Sequence, residues 1–131
     1  MPTPHVLVVE DDPSVRGLLQ TLLLAEGYDV ATASDGLSGL VKASRRKPSL
    51  ILLDVMMPDL GGMRVLEELE ADPALADVPV IIVTGKLDAV PALSEKLGES
   101  SVFAKPFSVA ELLARVAEVT GGPSVPAQES Q

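Results

Sequence analysis

Residues 50–53 read Leu-Ile-Leu-Leu and residues 80–83 read Val-Ile-Ile-Val, with no polar side chain at any position. Neighbouring residues of a strand face opposite sides of a sheet, so a run that is apolar throughout needs cover on both faces. Parallel sheets layered between helices provide that cover, whereas a hairpin sheet with one wet face does not. Three more short apolar or β-branched runs stand at 6–9, 28–33 and 102–104. Each of the five is followed by a helical pattern. Five β–α units in about 120 residues predict a single α/β domain, its parallel sheet covered on both faces.

The helical segments carry their own start and stop signals. Over 13–26, Asp12 is placed to cap the helix, Pro13 to fill its first position and Gly27 to end it. The inward stripe expected there is Val15, Leu18, Leu19, Leu22 and Leu23, at helical spacing. The segment 36–46 relies on Leu37, Leu40 and Val41, and Gly39 costs it ~1 kcal/mol against alanine. Residues 62–70 present Met63, Leu66 and Leu69. The segment 89–97 presents Val90, Leu93 and Leu97 and stops at Gly98; Pro91 fits only within its first turn. Ser108 and Glu111 form a capping box ahead of Leu112, Leu113 and Val116. Gly121, Gly122 and Pro123 end that helix, which gives a domain over 4–120 and a flexible tail or start of a linker over 121–131.

Charge narrows the function. Nineteen acids against ten bases, a net −9, work against direct contact with nucleic-acid phosphate. The basic cluster Arg45-Arg46-Lys47 falls where a helix ends and reads as its solvated C-terminus. With no cysteine, neither a disulfide framework nor a thiolate site can form. No apolar run approaches the ~18 residues of a membrane span, and the N-terminal stretch lacks the layout of a signal peptide. A soluble cytoplasmic protein without membrane contact is expected.

Right-handed crossovers bring the C-terminal ends of parallel strands to one edge, where ligands of such sheets bind. Four of the five strand ends carry chemistry. Glu10, Asp11 and Asp12 follow the first, Asp54 the third, Thr84 ends the fourth and Lys105 follows the fifth. Singly these are ordinary: Asp12 is an N-cap, Glu10 and Asp11 could be a solvated loop, and Thr84 is a common strand-end residue. Asp54 is less so, because a charge closing the apolar run Leu-Ile-Leu-Leu carries a burial cost. Together they present hard oxygen ligands suited to Mg²⁺, with Lys105 as a second positive charge.

The motifs LVVEDD, LLDVMMPDLGG, VIIVTG and FAKPF, in that order over about residues 4–120, resemble the receiver domain of bacterial two-component response regulators. The resemblance implies a flavodoxin-like sheet of order 2-1-3-4-5 with five helices. It implies that Asp54 accepts a phosphoryl group from a phosphohistidine on a sensor histidine kinase or phosphotransfer protein. Asp11, Asp54 and the backbone carbonyl of Met56 would hold Mg²⁺, with Glu10 acting through water. Thr84 would hydrogen-bond the phosphoryl group, Lys105 would pair with it, and the Lys105–Pro106 bond would be cis. Asp12 inherits no ligand role. The output would pass through the face made by the fourth helix, fifth strand and fifth helix to a downstream protein or a C-terminal domain, and dimerisation on phosphorylation is common in the family. Such a domain is a phosphoacceptor, catalysing only its own phosphorylation and slow dephosphorylation.

Departures from the family pattern are local. Three positions before the lysine the family usually has an aromatic residue; here stands Val102, with Phe103 on the opposite side of the strand. Met56 and Lys86, two places after Asp54 and Thr84, flank the path of the hydrolytic water in the family, so an apolar Met56 is expected to slow loss of the phosphoryl group. An aspartyl-nucleophile phosphohydrolase needs an acid two places after its nucleophile, and Met56 cannot move a proton. Thr84-Gly85-Lys86 lacks the remaining residues of a P-loop. A docking module of the same fold that is never phosphorylated stays open at this point.

Overall fold

The computed structural model describes residues 3–56 and 62–122. It alternates β1 (His5–Val9), α1 (Pro13–Glu26), β2 (Asp29–Ala33), α2 (Gly36–Arg45), β3 (Leu50–Leu53), α3 (Gly62–Ala71), β4 (Val80–Thr84), α4 (Val90–Leu97), β5 (Val102–Ala104) and α5 (Val109–Thr120). Short 3-10 turns precede α4 and β5. All strand pairs are parallel, in the order β2-β1-β3-β4-β5. The segment Met-Pro-Asp-Leu-Gly at 57–61, expected from its sequence to turn, and most of the expected tail, 123–131, lie outside the described residues.

The parity of the strands sorts the core into two halves. Leu7, Val9, Ile51, Leu53 and Ile82 pack with Val65, Leu66, Leu69 and Leu93, from α3 and α4. Val6, Val8, Leu50, Leu52, Ile81 and Val83 pack with Leu19, Leu23, Leu112 and Val116, from α1 and α5. The continuous apolar runs are therefore what a two-sided sheet requires. Val102 joins the first half and Phe103 the second, so they do face opposite ways.

Local chemistry sets the helix ends. Asp12 caps α1, its Oδ1 accepting from the backbone N–H of Ser14 at 2.9 Å, and Pro13 begins the helix. Gly27 closes it at φ 104°, in the left-handed region that favours glycine. Pro91 sits in the first turn of α4, where no helical hydrogen bond is lost. Ser108 accepts from the Glu111 backbone N–H at 3.2 Å. Around the C-terminus of α2, Lys42 reaches the Thr32 carbonyl, Arg46 pairs with Asp29, and Lys47 pairs with Asp77 at 2.9 Å.

The expected helix faces need correction. Leu18 is 48% exposed, Leu37 63%, Val41 41% and Met63 41%. On α2 the buried positions are Gly36, Gly39 and Ala43, with Leu40 partly covered. The reason is distance: a Cβ on Gly39 would lie 2.9 Å from Cγ2 of Val9. This helix lies so close to β1 that its small residues face inward, while Leu37 and Val41 face water. On α3, Val65 takes the inward place expected of Met63.

Gly39→Ala consequently opposes two effects: a helix-propensity gain of about 1 kcal/mol and an overpacking cost of about 1–3 kcal/mol against a stiff, buried valine. Urea unfolding is expected to show net destabilisation in the native background and stabilisation in a Val9→Ala background. Stabilisation in both would disprove the close-approach account.

Candidate functional site

The strand ends meet as the parallel topology demands. The Asp54 N–H bonds the Val9 carbonyl at 3.1 Å, and the Lys105 N–H bonds the Thr84 carbonyl at 2.7 Å. The β3 end is thus tied to β1 and the β5 end to β4 across the edge. Glu10 (1% exposed) and Asp54 (4%) are buried there, while Asp11 is more open. Lys105 reaches in from the far end of the row, its Nζ 2.8 Å from Glu10 Oε1 and 3.2 Å from Asp54 Oδ2. The Lys105–Pro106 peptide bond is cis.

Backbone donors complete the site. Asp54 Oδ1 accepts from the Met56 N–H at 2.9 Å, and Glu10 Oε2 accepts from the Asp12 N–H at 3.2 Å. The fully buried Thr84 hydroxyl accepts from the Lys86 N–H at 3.0 Å, which ties this side chain to the loop after β4. Met56 is 52% exposed, and a Cβ on Gly85 would stand 4.0 Å from its sulfur.

Among the described residues, Glu10, Asp11 and Asp54 offer ligand oxygens all within 4.8 Å of one another. Three carboxylates against the Lys105 ammonium leave two negative charges when all are ionised, which a divalent cation cancels. The donors are hard oxygens, so they fit Mg²⁺. Burial pushes the Glu10 carboxyl up from 4.5 to about 7; the Lys105 hydrogen bond opposes the rise and Asp54 adds to it. Burial pulls the Lys105 ammonium down, but the hydrogen bond and charge of Glu10, with the charge of Asp54, hold it above its ordinary value.

A model of the response regulator receiver domain matches residues 6–117. The chain belongs to this family. A receiver domain is the phosphoacceptor module of two-component signalling, and receivers bind Mg²⁺ in their acidic pocket. PhoP, the alkaline phosphatase synthesis transcriptional regulatory protein of Bacillus subtilis, is 40% identical over 129 residues, 96% of this chain and 52% of PhoP. The DNA-binding regulator RpaA of Synechocystis is 37% identical over 86% of this chain and 47% of RpaA. The chain thus spans about half the length of these curated relatives. Among solved structures, the chemotaxis protein CheY4 of Vibrio cholerae superposes with a TM-score of 0.80 at 27% identity, covering 90% of this chain and 99% of that one. TrrA of Thermotoga maritima, solved with Mg²⁺ and BeF, gives 0.78 at 30% identity over 88% of this chain and 98% of TrrA.

Glu10, Asp11, Asp54 and Lys105, named from the receiver's sequence, come together in one cluster, and Thr84 joins them through its backbone bond to Lys105. Asp12 serves as the helix cap. The sequence did not single out Arg16, whose Nη1 donates to the Glu10 carbonyl at 2.9 Å and the Asp11 carbonyl at 3.3 Å. The available signal was a long cationic side chain little more than one helical turn past the acids.

Folded Glu10 keeps its proton to about pH 7, whereas in an unfolded chain it ionises near 4.5. The folded state binds more protons in that window, so the metal-free protein loses stability as pH rises through it. Thermal melts in EDTA should show Glu10→Gln gaining on the native sequence between about pH 4.5 and 7. A gap that stays constant across the window would refute the assignment.

Proposed function

We propose that Asp54 is the phosphoacceptor, taking a phosphoryl group from a phosphohistidine of a sensor histidine kinase or phosphotransfer protein. The observation that carries this is the placement of Asp54, buried at the end of β3, inside the three-carboxylate group and paired with Lys105. An Asp54 carboxylate oxygen attacks phosphorus, the P–N bond breaks, and the imidazole departs. An anion attacking a phosphoryl group that bears anionic oxygens meets repulsion, so positioning and charge neutralisation govern the rate. Mg²⁺, when bound by Asp11, Asp54 and the Met56 carbonyl, with Glu10 acting through water, supplies most of that neutralisation. Lys105 then pairs with the incoming phosphoryl oxygens rather than with Asp54, and the Thr84 hydroxyl turns to donate to them.

Thr84 also anchors the Lys86 N–H, so its reorientation pulls on the loop leading into α4. We assign the output to the α4–β5–α5 face on this basis. With Val102 in place of an aromatic residue, the change there rests on the loop and on α4. The relatives of which this chain spans about half support an output domain following it, and the smaller receiver-sized structures support a separate protein partner. The net charge of −9 leaves any DNA contact to another domain. A cytoplasmic setting and dimerisation through this face on phosphorylation follow the same family reading. The domain acts as a phosphoacceptor, with no turnover of a further substrate.

Intact-protein mass after incubation with Mg²⁺ and acetyl phosphate tests the reading. One added phosphoryl group is expected for the native protein, and none for Asp54→Asn or in EDTA. A gain in Asp54→Asn, or no gain in folded native protein, would overturn it. In the phosphorylated protein, Met56→Asn should speed loss of the phosphoryl group severalfold by admitting water beside the acyl phosphate; equal decay rates would show that Met56 does not exclude it.

A further inference from the structure

Three successive peptide carbonyls, those of Glu10, Asp11 and Asp12, are all held by one residue. The Arg16 backbone N–H bonds the Asp12 carbonyl at 2.9 Å, as the first turn of α1 requires. Its guanidinium then reaches past that turn, and a single nitrogen, Nη1, meets the Glu10 carbonyl at 2.9 Å and the Asp11 carbonyl at 3.3 Å. The side chain is half-buried against the loop. No other described side chain is seen to bond either of these carbonyls.

We propose that Arg16 is a positioning residue for cation binding: by clamping the Glu10 and Asp11 carbonyls toward α1, it holds the carboxylates of these residues toward Asp54. The inference deepens the reading of the site as a Mg²⁺-dependent phosphoacceptor and rests on it.

The physical need is specific. Glu10 and Asp11 are adjacent, so in a regular strand their side chains would point to opposite faces. For both to offer an oxygen within 4.8 Å of Asp54, the chain has to leave strand geometry between Val9 and the helix. A short acidic loop at a sheet edge resists that arrangement, because it brings like charges together. The Glu10 N–H, bonded to the Ala33 carbonyl at 3.0 Å, fixes the entry to the turn, and the Asp12 cap fixes its exit. Between those points the peptide planes are held by the two bonds to Nη1, together with the bond from the Asp12 N–H to Glu10 Oε2 at 3.2 Å. A planar, permanently charged donor suits this task, since it binds two oxygens at once and cannot lose its proton. Placing positive charge behind the loop also offsets part of the repulsion among the acids.

Groups that orient metal ligands without touching the metal typically change affinity about 10–100-fold when removed. Isothermal titration calorimetry with Mg²⁺ alone is therefore the primary readout, with thermal melts in EDTA alongside. Arg16→Ala is expected to weaken Mg²⁺ binding about 10-fold or more, and to raise by a similar factor the Mg²⁺ concentration that half-saturates phosphorylation by acetyl phosphate. The rate at saturating Mg²⁺ should stay near the native value, because the clamp does not touch the reacting atoms. Arg16→Lys retains the charge on a shorter arm and should fall between the two, and it decides the matter if Arg16→Ala does not fold. Asp35→Ala removes the cap of α2, whose side chain bonds the Ser38 N–H at 2.7 Å. It should lower the melting temperature yet leave Mg²⁺ affinity unchanged, which separates positioning from general loosening.

Unchanged Mg²⁺ affinity in folded Arg16→Ala or Arg16→Lys would overturn the proposal, as would an equal loss in Asp35→Ala. A native protein that binds no Mg²⁺ would overturn it together with the metal site. A native protein that binds Mg²⁺ but takes no phosphoryl group would overturn the phosphoacceptor reading alone, and the Arg16 comparison would still be decided by calorimetry.

Discussion

The Lys105 ammonium joins two buried carboxylates that lie 95 and 51 residues away along the chain, Glu10 and Asp54. Much else in the molecule follows from that contact. Two buried acids that share an apolar edge must either keep a proton or take a cation between them, because the desolvation of each adds to their mutual repulsion. The ammonium satisfies both, and the raised pKa of Glu10 is the residue of repulsion and burial that it leaves uncompensated. The arrangement leaves, with all three carboxylates ionised, an unbalanced negative charge that a divalent cation would remove.

The sheet makes this contact possible. Parallel strands with right-handed crossovers place every C-terminal end on one side. Bonds such as Asp54 N–H to the Val9 carbonyl and Lys105 N–H to the Thr84 carbonyl carry the ladder beyond the strands themselves. The functional side chains therefore stand on the last rigid backbone before the loops begin. Behind them, the two halves of the core cover both faces of the sheet with mainly aliphatic side chains. The site is the place where this packing stops.

Legibility in the sequence varied with the range of the interaction involved. Asp12, Pro13 and Gly27 act within a turn of themselves, and they located both ends of α1. The strand runs and the chemistry of their ends were equally plain, because parallel topology converts positions in sequence into positions on one edge. Helix faces were less so. Leu37 and Val41 satisfy helical periodicity yet face water, since α2 approaches Val9 so closely at Gly39 that the fully buried positions are Gly36, Gly39 and Ala43. Apolar spacing reports that a helix has a face, but how near the helix lies to the sheet decides which residues fit under it.

By itself, then, the sequence determined the alternation of strands and helices, the two-sided burial of the central strands and the set of residues at the site edge. These depend on local periodicity, on capping and on a topology with few alternatives. Only the tertiary structure decided the pairing of Lys105 with Glu10 and Asp54, the tight seat of α2 on β1, and the reach of Arg16 back to the carbonyls of the acidic loop. Each of these turns on distances of a few ångströms between segments or around a loop, and a pattern of residue types along a chain does not contain them.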